Sequence, residues 1–253
     1  MLDEYRGHHT EMMAALHDAA ERVTQDAPEA VAVMSARWTG PGAFLVDAAR
    51  RHRTLTDDTD FGVEVRYDCT GHPALARALV TAGERARCRV ATAAHGVDGG
   101  AAVPLHFLVP SRKLPVVPLS IATRSAEECR AWGSAIRRTL QAWPERVLFV
   151  VGGVLSFNQH AWSLRRDVPE SAEFDRRALS ALERGAWEGL DAEDGRTLER
   201  VQPEAGLRHL DVLRGFLGDG MKAIVRCYES SPGVGAALLE FETPSVPAAQ
   251  GVA

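Results

Sequence analysis

Apolar positions along the chain switch between two spacings. Over residues 8–25, Met12, Leu16, Ala19, Ala20 and Val23 recur at helical intervals and predict an amphipathic helix, stopped by Pro28. Residues 30–35 (AVAVMS) form a short unbroken apolar run, the mark of a strand covered on both faces. Residues 36–42 (ARWTGPG) predict a loop, and residues 54–60 a polar one. Residues 61–67 alternate and predict an edge strand. A helix opens at Pro73, which suits a first helical position, and runs to about Arg85. His72, just before it, reads as a capping or surface residue. Strands follow at 88–92 and 114–121, and Ser125 with Glu128 three residues on is a capping-box signature for a helix to Ala142. Residues 146–151 (RVLFVV) predict the next buried strand. Helices over 171–190 and 204–216 precede strands at 221–230 and 235–241, joined as a hairpin by Ser231-Pro232-Gly233.

Strands alternating with helices predict a single α/β domain: a central, mostly parallel sheet with helices on both faces and a C-terminal hairpin. The runs at 30–35, 88–92, 116–121 and 146–151 should share that sheet. The domain is expected over 1–243. Residues 244–253, small and uncharged, are expected to be a flexible tail.

Composition narrows the classes. The 253 residues carry a net charge of -5 with acids and bases interspersed, which gives no nucleic-acid footprint and no polybasic membrane patch. The spacing of Cys69, Cys88, Cys129 and Cys227 fits neither a zinc knuckle nor a disulfide framework, so they read as reduced thiols of a cytoplasmic protein. The opening MLDEYRGHHTEMM is polar, unlike a signal peptide, and no apolar run is long enough to cross a bilayer.

The chemistry gathers between the strands at 88–92 and 114–121. Residues 93–105 (AAHGVDGGAAVPL) hold glycines, His95 and Asp98 with no regular period. They fit either a plain surface loop or a ligand site at a strand end, the usual place for one in α/β sheets.

The wording of this stretch resembles the class III extradiol ring-cleavage dioxygenases, of the type of the protocatechuate 4,5-dioxygenase beta subunit. His95-Gly96, Val103-Pro104-Leu105, Pro110 and the PVVPLS run from Pro115 match the family's loop and following strand, with Ala94 in place of its usual Asp. Ser35-Ala36-Arg37-Trp38 stands where the family has a Ser-x-His-Trp pattern, and Gly153-Val154-Leu155-Ser156-Phe157 where it has a motif ending Leu-Ser-His. The likeness extends from about Glu11 to Phe241 through Asp175 and the final "G.GA.L.EF".

This resemblance implies a ferrous ion held by two histidines and a carboxylate, with a further histidine moving protons. Here Arg37 takes one ligand position, and a guanidinium has no lone pair to give. Phe157 takes the place of the proton-transfer histidine. His8 or His9 could replace a first ligand whose strand is missing, and Glu204 could be the carboxylate. Plainer readings are a solvent-facing His pair and an acid that stabilises a helix start. His95 and His160 are the candidate catalytic groups; Arg37, Ser156 and Phe157 are the candidate substrate contacts. His106 and His209 read as packed or exposed rather than ligating.

The chain is then either a dioxygenase-like protein with a degenerate iron site, serving as a non-catalytic subunit or binding an aromatic acid, or an active Fe(II) enzyme with a rearranged ligand set. A third option is another chemistry on the same frame. Family habit and Trp132, Trp143, Trp162 and Trp187 as anchors imply a homodimer or a complex with a related dioxygenase subunit.

Overall fold

The computed structural model describes residues 10–55, 65–191 and 194–241. His8, His9, the first part of the expected strand at 61–67 and the expected tail lie outside the described residues. Residues 65–67 form no strand.

Helix α1 (Glu11–Asp26) is capped by Thr10, whose hydroxyl accepts from Met13 N, and ends with Ala27 in the left-handed region. Strand β1 (Ala30–Gly40) is longer than the apolar run that predicts it. Next come β2 (Phe44–Asp47), a two-residue ladder of β3 (Arg51–His52) and β4 (Cys69–Thr70), helix α2 (Pro73–Arg85) and β5 (Val90–Ala93). Helix α3 (Gly99–Leu108) precedes β6 (Val116–Ala122), α4 (Ala126–Ala142) and β7 (Val147–Gly152). Short α5 (Gln159–Ser163), α6 (Pro169–Arg184), a 3-10 turn at Trp187–Leu190, α7 (Gly195–Val201), a 3-10 turn at Glu204–Leu207 and α8 (Arg208–Leu217) lead to the hairpin β8 (Ile224–Ser231) and β9 (Val234–Glu240).

The four predicted strands do share one sheet, of order β5-β2-β6-β1-β7. β1 is parallel to both β6 and β7, and β2 is parallel to β5; the one antiparallel seam is β2 on β6, through Val46 and Leu119. β2 is absent from the sequence reading because four residues carry no usable period.

Alternation along β1 sorts the core. Ala30, Ala32 and Met34 face one layer with Phe44, Leu119, Leu79, Trp132 and Ile136; Val31 and Val33 face the other with Val97, Leu105 and Tyr67. Helices therefore cover both faces. A third apolar cluster, around Phe174, Leu182, Trp187, Leu207 and Leu210, joins α6, α8 and the hairpin. Among the described residues, no helix is long and apolar enough to cross a membrane.

Three expectations need correction. The segment after Ser35 is not a loop: β1 slips register against β6 between Ser35 and Thr39, and Thr39 and Gly40 rejoin the ladder opposite Ile121 and Ala122. Ala36, Arg37 and Trp38 thus form a bulge, a device that re-aims side chains. Residues 99–108 are helical despite Gly99, Gly100 and Pro104, because Asp98 caps the helix by accepting from Ala101 N at 3.0 Å. Pro104 has no N–H for the carbonyl of Gly100, and that carbonyl packs against Gly152, where any Cβ would overlap it. The expected helices at 171–190 and 204–216 are each divided, by Gly185 at φ 70° and by Ala205, Gly206 and Leu207 at φ 54°, 58° and 60°.

Candidate functional site

The bulge of β1 lies under the N-terminal turn of α3. A side chain on Gly100 would collide with Ser35 Oγ and come within 3.2 Å of Arg37 Cγ, so the glycine lets helix and bulge touch. The Arg37 stem lies along this contact, and the residue is exposed. The next residue, Trp38, is buried and stacks on His95 with ring centroids 4.1 Å apart and planes 5° from parallel.

His95 is held from two sides. Its backbone N–H, like that of Gly96, donates to Asp47 Oδ2 at 2.8 Å, and its Nε2 lies 3.3 Å from Asp98 Oδ2. Gly96 itself takes φ 100°, where a Cβ would overlap the Arg53 carbonyl. Asp47 also accepts from Ala49 N at 2.9 Å and faces His52 Nδ1 at 3.3 Å; His52 Nε2 lies 3.1 Å from the Val116 carbonyl. Burial alone would raise the Asp47 carboxyl, but the His52 ring and the three backbone N–H groups hold it well below the usual range. Asp98 behaves alike: its burial is outweighed by His95, the Ser35 hydroxyl and Ala101 N–H. Two ionised carboxylates thus fix a half-exposed imidazole against an indole face.

The other wall follows β7. Gly153 is exposed, and a Cβ there would come within 3.0 Å of the Ala36 side chain and of Cδ2 and Nε2 of His209. His209 is buried, and burial lowers its pKa to about 4, so it is neutral at pH 7. Among the described residues its Nδ1 has no hydrogen-bond partner. Glu204 Oε2 accepts from Val154 N at 2.7 Å, one residue further on. Glycine at 153 lets the segment after β7 pass close to the bulge and to a neutral imidazole, with the Glu204 carboxylate one residue further on.

The remaining candidates lie as follows. Ser156 is fully buried; its Oγ donates to Asp175 Oδ2 at 2.8 Å and its N–H to Oδ1 at 3.1 Å. Phe157 is half-buried, in a β-bridge with Val234 and donating its N–H to the Val201 carbonyl at 3.2 Å. His160 is exposed in α5. His72 caps α2, accepting from Leu75 N at Nδ1 while Nε2 meets Glu145 at 2.7 Å. Arg37 and His95 are brought to one place through Trp38 and Gly100, and Glu204 joins the Gly153 segment beside Ala36. Trp38, Asp98, Asp47, His52 and His209 are participants that the sequence reading did not assign to the site. Two of them carried a signal: Asp98, in the glycine-rich stretch with His95, and Trp38, an aromatic beside Arg37 in an otherwise small-residue run.

An iron ion of the kind the resemblance implies needs three converging donors. Among the described residues, no group of three or more His, Cys, Asp or Glu side chains is arranged to hold a metal. The described side chains therefore do not fit the ion by themselves, and the position expected for one ligand carries the cation Arg37.

The chain is an open α/β sheet whose internal strand β1 is bulged beside the segment that holds His95. The sequence profile described as "Catalytic LigB subunit of aromatic ring-opening dioxygenase" matches residues 3–239, and the chain belongs to that family. Protein CA_C1420 of Clostridium acetobutylicum is 29% identical over 153 residues, covering 58% of this chain; the match spans only 31% of that protein. The crystal structure of the uncharacterized protein JW3007 from Escherichia coli K12 superposes with a TM-score of 0.67 at 20% identity, over 88% of this chain and 90% of that one, a likeness of fold.

Proposed function

We propose that this class III extradiol dioxygenase-like chain has a degenerate iron site and binds a small aromatic carboxylate in its place, either alone or as the non-catalytic subunit of a dioxygenase. The observation that carries this is Arg37, lifted by the β1 bulge beside the Trp38–His95 stack. A guanidinium repels a dication and favours a carboxylate, which it can hold through two parallel N–H donors. His95 adds a polar contact at the rim, and half-buried Phe157 is a further candidate contact on the hairpin side, where fully buried Ser156 backs it through Asp175. The partner is a second copy of this chain or a related subunit, and light scattering would distinguish either from a monomer.

Metal analysis after anaerobic purification, with catechol, protocatechuate and aminophenol turnover, tests the reading. Substoichiometric iron and no ring cleavage are expected. Benzoate should bind the wild type and bind Arg37→Gln about tenfold more weakly, the loss of one charge-assisted contact. Stoichiometric ferrous iron with turnover overturns it.

One observation favours a second reading. Glu204 and neutral His209 flank the same Gly153–Val154 segment, and both are donor types that iron accepts. With His8 or His9 added, and His95 or His160 exchanging protons, the family's ring-cleavage activity would survive on a rearranged set. Iron retained by the wild type and lost in a His8→Ala, His9→Ala double variant supports this version.

A further inference from the structure

The Gln202-to-Leu207 turn lines a cavity of about 290 Å³. Its apolar wall is made by Trp187, Leu190, Leu198, Pro203, Leu207 and Leu210. Nothing in the site described above uses it.

The charged groups around it balance. Arg214 donates to Asp219 at 2.9 Å and Asp191 at 3.3 Å, and Arg130 to Asp211 Oδ1 at 3.2 Å. The Arg208 guanidinium turns to the carbonyls of Arg124 and Ala205. The three carboxylates are paired by two guanidiniums, and with the Arg208 guanidinium nearby the formal charges cancel. Asp211 lines the cavity with Arg130 on Oδ1 and a side chain 17% exposed, and a carboxylate can accept more than one donor. Burial raises the Asp211 carboxyl despite the guanidiniums of Arg130, Arg214 and Arg208.

We propose that this cavity binds a small uncharged aromatic molecule with one hydrogen-bond donor, its ring among Trp187, Leu198 and Leu210 and its O–H or N–H directed to Asp211. Apolar walls with one placed polar group are the usual composition of a small-molecule pocket. The turn that lines it is held in the left-handed region at Gln202, Ala205 and Leu207, a conformation that persists where a site is built around it. The proposal is independent of whether the Arg37 site holds an anion or iron.

Isothermal titration of the full chain with 2-phenylethanol, and with its methyl ether, tests it. The wild type should bind the alcohol at one saturable site and the ether about tenfold more weakly, since only the alcohol can donate. Asp211→Ala should bind alcohol and ether alike. Leu198→Phe, which fills the cavity, should bind neither while keeping the wild-type circular dichroism. No saturable binding of the alcohol by the wild type, equal affinity for alcohol and ether, or unchanged binding in a folded Leu198→Phe each overturns the proposal.

Discussion

Asp47 and Asp175 are both fully buried carboxylates, one on each side of the candidate site, and they are treated in opposite ways. Asp47 takes three backbone N–H groups and faces an imidazole, and its pKa falls. Asp175 takes two hydroxyls, from Ser156 and Tyr228 at 2.8 Å each, and one backbone N–H; burial outweighs them and its pKa rises. The number of backbone dipoles and the nearness of a ring nitrogen decide whether a buried acid stays charged; burial itself does not. The first arrangement fixes His95. The second ties the segment after β7, helix α6 and the hairpin together, and Gly235 is needed there because a Cβ would overlap Asp175 Oδ2.

Asp47→Ala is the strongest way to break this contrast. It orphans the N–H groups of His95 and Gly96 and leaves His52 facing a void, so urea unfolding should show a loss of about 3–5 kcal/mol. A carboxyl whose native pKa is depressed contributes stability that is present above its unfolded pKa and lost as pH falls through the native one. The gap between wild type and Asp47→Ala should therefore be widest near neutrality and narrow below about pH 4. A gap that widens with acid would mean that Asp47 is not held as an ionised group.

Asp175→Asn should cost less, about 2 kcal/mol, since the amide keeps an acceptor for the two hydroxyls. Its pH trend runs the other way. A raised carboxyl stabilises the fold below its unfolded pKa, and that contribution is lost as pH rises through the native pKa. The cost of Asp175→Asn should be smallest at pH 7 and grow as the medium is acidified. Parallel trends for the two variants would remove the distinction between the sites. Tyr228→Phe, which deletes one donor at a partly exposed position, should cost about 1 kcal/mol and lift the Asp175 carboxyl further, readable by carbon NMR of the labelled side chain.

The sheet was legible in the chain because its strands are continuous apolar runs, and burial on both faces demands such runs. The helices at α2 and α4 were legible through their start signals, Pro73 and the Ser125–Glu128 box, which are local and act wherever the segment sits. Helix α3 was not, because its stop signals are outweighed by contacts with Gly152 and the β1 bulge that exist only after folding.

For the site, the chain by itself determined the identities: an arginine and a phenylalanine where the resemblance leads one to expect histidines, and a histidine in a glycine-rich stretch. The tertiary structure alone decided their company. Trp38 meets His95 from 57 positions away in sequence, counted as 95 minus 38, because a register slip in β1 turns the indole toward α3. His209 becomes neutral and reaches Gly153 because α8 packs against α4 through Gly133 and Gly215. Burial and close approach arise from the whole packed layer, and no residue type or spacing encodes them in advance.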